Sequence, residues 1–334
     1  MSIDIKLGGG KEILLSHMSL LGAASILDEA LGAGSVLCRW TDEADAVAML
    51  RVDAASEDQV GEILREHAAR HAQGDIPWMH ARHPVLQSVF AARNAKPFPD
   101  EKWHEFVSLR TQMSDDLRGL ESRMTLGLGE RAWWLRDGKT LRPDHGASPW
   151  EMRTRNKGME VVADALVPMA AALAERDPQK VMDGLTGQIL DDEPSSNKPD
   201  SRTSQGFGPL GPTDTARAWC GMWGIASFPV WHRAVDRSVT PAAVPPRRVA
   251  RGKLLMAAPT RWITVARWQA ALRSEALNAI GQMGRSSAEE KLKVSAARRE
   301  LKELGFELLL EFPVKVTGSP SARERRATEA VVLA

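Results

Sequence analysis

Tyrosine is missing from all 334 residues, and cysteine occurs only twice, at Cys38 and Cys220. Two thiols far apart in apolar contexts exclude a disulfide framework and a cysteine metal site, and they fit a reducing compartment. Long hydrophobic runs are scarce as well. The nearest thing to a targeting segment, Ile13 to Leu27, contains His17 and several serines and leads into Asp28-Glu29. That composition fits an amphipathic helix better than a signal h-region, and a membrane span needs a longer run. The expectation is a soluble, cytoplasmic protein with no membrane contact. Walker loops, G-x-S-x-G elbows and Cys–His motifs are also missing. The acidic pairs Asp115-Asp116 and Asp191-Asp192 look solvated. Nothing nominates a nucleophile with its base, so no catalytic residue, metal or cofactor is assigned and the chain is read as a non-enzyme.

What is present is tryptophan, 11 residues of it, within an ordinary apolar fraction of 43%. The length allows two packed units. The stretch that organises the chain is Gly206 to Val230, a glycine/proline loop opening a buried helix. Thr213 or Asp214 caps it, because a short side-chain oxygen accepts from an otherwise unpaired backbone N–H. Trp219, Met222, Trp223 and Ala226 share one face by their i, i+3, i+4, i+7 spacing. Ala218, Cys220, Gly221 and Ile225 make the other face apolar or small, so the helix is covered on most sides. Pro229 ends it. Gly206, Gly208 and Gly211 spell G-x-G-x-x-G, yet a dinucleotide fingerprint needs a buried strand before it. Here the preceding segment is polar, and Pro209 and Pro212 remove N–H groups that a pyrophosphate would use.

In chain order, Ser2 to Leu7 forms a first strand, Gly8-Gly-Gly10 a turn, and Ile13 to Leu31 a helix closed by Gly32. Ser35 to Trp40 and Ala46 to Val52 make a strand pair, and Ser56 to Ala72 a helix. Trp103 to Leu126 is read as one helix, residues 131–138 as a hairpin, and Glu160 to Arg176 as a helix, with another turn or two over Lys180 to Leu190. Asp191 to Gln205 is the one run of low hydrophobicity and reads as a mobile loop or linker. Arg251 to Ala257 is a strand, Thr264 to Ile280 and Ala288 to Leu304 are helices, and Phe306 to Val316 is a strand. Residues 317–334 read as a basic tail. The class is α+β: residues 1–190 an N-terminal α+β and helical region, 191–205 a linker, and 206–334 a C-terminal basic α/β region around the Trp-rich helix.

Charge is unevenly placed. Residues 1–230 carry 25 basic and 33 acidic side chains; residues 231–334 carry 19 and 10. The resulting balance, −8 against +9, suggests that the C-terminal part faces a polyanion or an acidic partner. Two segments interleave cations with tryptophan. One holds Arg131, Arg136, Lys139, Arg153, Arg155 and Lys157 with Trp133, Trp134 and Trp150. The other holds Arg247, Arg248, Arg251, Lys253, Arg261 and Arg267 with Trp262 and Trp268. Cations neutralise phosphates and indoles stack on exposed bases, which makes both nucleic-acid candidates. The alternative is that these indoles are core and the arginines ordinary surface. The stretch Ser319 to Arg326 adds a further exposed cationic site. A separate window gathers His67, His71, Asp75, His80 and His83. Histidines at i, i+4 share a helix face, so a metal site is conceivable, although the glutamate of a zincin is lacking.

Three stretches carry a resemblance: Ser16-His-Met-Ser-Leu-Leu-Gly-Ala-Ala-Ser-Ile-Leu27 with Cys38-Arg-Trp-Thr41; Gly208-Pro-Leu-Gly-Pro-Thr-Asp-Thr-Ala-Arg-Ala-Trp219 with Phe228-Pro-Val230; and Phe312-Pro-Val314 with Ser319-Pro-Ser-Ala-Arg-Glu-Arg-Arg-Ala327. Together they resemble proteins encoded beside type I CRISPR effector genes, especially of type I-G (formerly I-U), with a large-subunit-like component of the surveillance complex as the best placement. The resemblance implies a non-catalytic subunit that meets guide RNA, target DNA and other effector subunits, while guide pairing carries most of the sequence specificity. The alternatives are a metal-dependent hydrolase or nuclease using the His67 to His83 window, and a pure protein–protein scaffold.

Overall fold

A computed structural model describes residues 2–84, 88–91, 100–129, 148–152, 160–230, 240–244, 252–282, 287–319 and 322–333. The chain opens with β1 (Ile3–Gly10), α1 (Leu14–Leu31), β2 (Val36–Trp40), β3 (Val47–Val52) and α2 (Glu57–Gln73). Strands β2 and β3 bury every second residue, as a half-covered sheet requires. The glycine triplet is not a separate turn. It extends β1 through an irregular register between Lys6 and Gly10, with Gly9 at φ 97°. That region costs a glycine nothing sterically, so the bulge falls there. Gly32 closes α1 through its N–H to the Asp28 carbonyl, and Ser56 caps α2 by accepting from the N–H of Gln59.

Next come α3 (Pro77–His80), α4 (Asp100–Asp116) and α5 (Gly119–Leu128). The single helix expected over 103–126 is two, because Arg118 is extended and Gly119 sits at φ 53°. The expected hairpin at 131–138 lies outside the described residues. The helix expected from Glu160 begins as a π turn over Val162–Leu166 and continues as α6 (Val167–Ala174). Pro168 explains the widening, since it has no N–H to offer residue i−4 and its ring crowds that carbonyl. After α7 (Pro178–Thr186) comes α8 (Thr215–Trp223), capped by Asp214 and prolonged as a 3-10 turn over Gly224–Ser227.

The remainder is β4 (Ala243–Val244), β5 (Lys253–Ala258), β6 (Ile263–Thr264), α9 (Val265–Leu272), α10 (Glu275–Gly281), α11 (Ala288–Glu303), β7 (Leu308–Ser319), β8 (Ala322–Ala327) and β9 (Val331–Val332). The helix expected over 264–280 is divided at Ser274, whose hydroxyl donates to the Ala271 carbonyl of α9 and accepts from the Leu277 N–H to cap α10. Two antiparallel sheets result, ordered β1-β3-β2-β6 and β4-β5-β7-β8, with β9 also on β7. The fold is thus α+β.

Helix α1 is buried from Leu14 through Leu27. It is long and apolar enough, by length and composition, to cross a membrane, but here it packs between the first sheet and α8. The two helices touch through glycine: a Cβ on Gly22 would collide with the Cys220 carbonyl, and one on Gly224 with Met18. Trp219, Met222, Trp223 and Ala226 are all buried, and so are Ala218, Cys220, Gly221 and Ile225, which makes α8 the covered helix its composition implies. One hydrophobic cluster runs from Ile5 to Ala327.

The segment Asp191 to Gln205 is a loop, as one of its two readings had it, and it is tied into the molecule by hydrogen bonds. The buried Asp192 carboxylate accepts from the hydroxyls of Ser201 and Thr203 and from the N–H groups of Ser195 and Thr213. Its polar residues satisfy one another instead of water. The expectation of a basic tail from 317 onward is corrected, because the stretch contributes strands to the second sheet. β8 pairs with β7 from Val314↔Ala327 to Ser319↔Ala322. Arg325 donates to the Glu151 carbonyl, and Arg326 is half-buried.

Candidate nucleic-acid interface

Alternation along the first sheet sends Ile5, Leu7, Val36, Cys38, Trp40, Leu50, Val52 and Ile263 into the core. The pairings Asp4↔Arg51, Leu37↔Arg51, Lys6↔Met49, Arg39↔Met49 and Leu37↔Thr264 put the intervening residues together on the other face. That face carries Lys6, Arg39 and Arg51 against a single acid, Asp4. β6 brings Trp262 beside it: the guanidinium carbons of Arg39 and Arg51 lie 4.6 and 4.3 Å from the indole centroid. Arg51 also grips Asp4 with two bonds of 2.7 and 2.8 Å. Those bonds, with the charge of Arg39 behind them, hold the Asp4 carboxyl below its ordinary range. Arg39 has no ion pair among the described residues, and its Nε is buried without a partner. The site is therefore a half-buried indole beneath two arginine planes on an open, cationic sheet face.

Among the residues singled out from sequence, Arg261 is next to this indole in the chain, 64% exposed, with Glu307 at 3.8 Å. Arg267 is exposed on α9. Lys253 is spent, because its ammonium donates to Glu311 at 2.6 Å across β5 and β7. Arg131, Arg136, Lys139, Arg153, Arg155, Lys157, Arg247, Arg248 and Arg251 lie outside the described residues. Trp150 and Trp268 belong to the core. Trp150 stacks on Phe228 at 3.6 Å and donates to the Pro241 carbonyl; Trp268 donates to the Ala257 carbonyl. Sequence reading missed Lys6, Arg39 and Arg51, although each stands at an outward position of a recognised strand.

The histidine window divides. Asp75 is exposed, His80 bonds the His71 carbonyl, and His83 packs against Phe106. Only His67 and His71 converge, and their third partner is Glu121 on α5, with candidate ligand atoms within 4.8 Å of one another. His71 Nδ1 faces the His67 carbonyl at 2.6 Å and so carries a proton, while its Nε2 lies 3.0 Å from Glu121 Oε1. Trp78 donates to the other Glu121 oxygen at 2.6 Å. Trp219 donates to His67 Nδ1 at 3.2 Å, so a neutral His67 holds its own proton on Nε2. Burial, then the neighbouring His71 and Arg70, keep His67 well below its ordinary pKa and hence neutral. A metal would need lone pairs from all three groups, and the indole already occupies the one His67 presents. What the geometry makes is a hydrogen-bonded junction joining α2, α3, α5 and α8. Its outer side, with His67 and Glu121, borders a cleft of about 830 Å³ between α1, α2 and α5.

No family model matches the chain, and no curated protein sequence does.

Proposed function

We propose that this chain is a non-catalytic, cytoplasmic subunit of an RNA-guided type I CRISPR surveillance complex, meeting the backbone of guide RNA or target DNA and other effector subunits. The observation that supports the nucleic-acid part is the open sheet face where Arg39 and Arg51 cover Trp262. Cations there neutralise phosphates, and the arginine–indole stack offers a platform to a base. The basic balance of residues 231–334 extends the same chemistry. Phosphate contacts position a protein without reading bases, which suits a subunit whose specificity comes from guide pairing.

The test is a salt titration of fluorescent-DNA binding on the assembled complex. An Arg39/Arg261/Arg267 triple alanine variant is expected to fold normally and bind more weakly on unrelated sequences alike. Its slope of log affinity against log salt should fall by about 0.7 for each phosphate that is no longer neutralised. An Arg247/Arg248/Arg251 triple alanine variant tests the second basic run in the same way. Unchanged slope and affinity in both would leave the scaffold reading as the better account.

A metal-dependent hydrolase is the second reading, favoured by the convergence of His67, His71 and Glu121. Because the His67 lone pair is already committed to the Trp219 indole, purified protein is expected to contain no stoichiometric transition metal. Elemental analysis finding about one metal per chain, absent from the His67/His71 double alanine variant, would overturn this.

A further inference from the structure

Arg217 is a half-buried cation with no ion-pair partner among the described residues. It stands in the first turn of α8 and reaches the glycine triplet at the end of β1. Among the described residues, Asp214 is the acid whose charge it feels, and that carboxylate is already spent on Arg176 and on the N–H of Ala216. The Nε of Arg217 is buried without a hydrogen bond, and burial holds the guanidinium below its ordinary pKa. Beside it, the Ser16 hydroxyl is 1% exposed and also has no partner.

These two groups converge. A Cβ built on Gly9 would collide with both Arg217 Nη2 and Ser16 Oγ, so the two donors meet over one point of exposed backbone. Gly9 sits at φ 97° in the bulge, which a side chain would strain. The same point faces the start of α1, an 18-residue helix whose N-terminus has no side-chain cap and no acid in its first turn. Ser16 belongs to that turn. The N–H groups of Leu15 and Ser16 are taken by the Phe207 and Ile13 carbonyls, so the start of α1 contributes the positive end of its dipole, and the donors left for a tetrahedral oxyanion are the arginine fork and the hydroxyl. Glu12 is exposed nearby, its carboxylate folded over Gly10 without pairing to Arg217.

We propose that Arg217 and Ser16, at the positive end of α1, form a phosphate-binding site over Gly9. The ligand is a phosphate group, free or as the phosphodiester of a nucleic acid. The site lies at the opposite end of β1 from Asp4 and Arg51 and does not depend on the sheet face being an interface.

Calorimetric titration of the full chain with inorganic phosphate, against chloride at matched ionic strength, tests this. The parent should bind phosphate, and Arg217→Gln should weaken it about tenfold, the scale of one charge-assisted pair removed. Ser16→Ala should weaken it about threefold, as loss of one neutral hydrogen bond does. Glu12→Gln should tighten it by removing like charge. Without phosphate, Arg217→Gln should melt no lower than the parent, since it removes a half-buried unpaired charge; a merely structural arginine would lower the melting temperature and leave phosphate affinity alone. Ser16→Ala carries the test if the arginine variant fails to fold. A thymidine oligonucleotide that competes with phosphate, and stops competing in Ser16→Ala, identifies a phosphodiester; failure to compete identifies a free phosphate. No heat with phosphate in the parent, or equal affinity in parent and both variants, overturns the site.

Discussion

Trp219→Ala is expected to destabilise the whole protein by about 3–5 kcal/mol, and Trp223→Ala by a similar amount, through reduced burial and the cavity left behind. Both indoles are fully buried, with ring centroids 5.6 Å apart, and both pack against His67 and His71 at 4.6 to 5.5 Å. Their polar ends differ. Trp219 donates to His67 Nδ1, whereas the Trp223 N–H is buried without a partner. Phenylalanine should therefore be tolerated better at 223 than at 219, because only at 219 does it leave a buried acceptor unpaired. Urea denaturation followed by circular dichroism measures all four variants. A Trp223→Ala protein that unfolds at the parental midpoint would mean that α8 is not the core element its burial implies.

Arg176→Leu should be of comparable size, about 3–5 kcal/mol, the usual consequence of removing one partner of a buried ion pair. The Arg176 side chain is 1% exposed. It donates to Glu193 at 2.7 and 2.8 Å, to both oxygens of Asp214 at 3.1 Å, and to the Asp191 carbonyl at 2.8 Å. Burial works against its charge, but the two carboxylates outweigh that and hold it above its ordinary range. The truncation strands Asp214, which also caps α8, and releases the anchor of residues 191–205. Alongside the lower denaturation midpoint, trypsin should cut faster after Arg202. Parental stability and parental cleavage together would show that the Asp192 hydrogen bonds hold the segment unaided.

Much of the secondary structure was legible in the chain, since side-chain periodicity and capping are local. The strand–helix–strand–strand–helix opening, the Gly32 closure of α1 and the buried faces of α8 all follow from neighbours a few residues apart. The errors in element length also have local causes that pattern reading underweighted: Gly119 dividing α4 from α5, Ser274 dividing α9 from α10, and the glycine bulge that lengthens β1.

The candidate sites were far less legible. Composition marks Asp191 to Gln205 as mobile because polarity alone does not disclose a partner; Arg176 and the buried Asp192 supply the partners. Nothing in the histidine window points to Glu121, 50 residues beyond His71. Nor does anything near Gly9 point to Arg217, or near Arg39 to Trp262. Local sequence by itself determined which segments are helix, strand and core, through periods of 3.6 and 2 and the chemistry of caps. The convergence of side chains distant in the chain was decided only by tertiary packing, which the pairing of β6 with β2 and the crossing of α1 over α8 bring about.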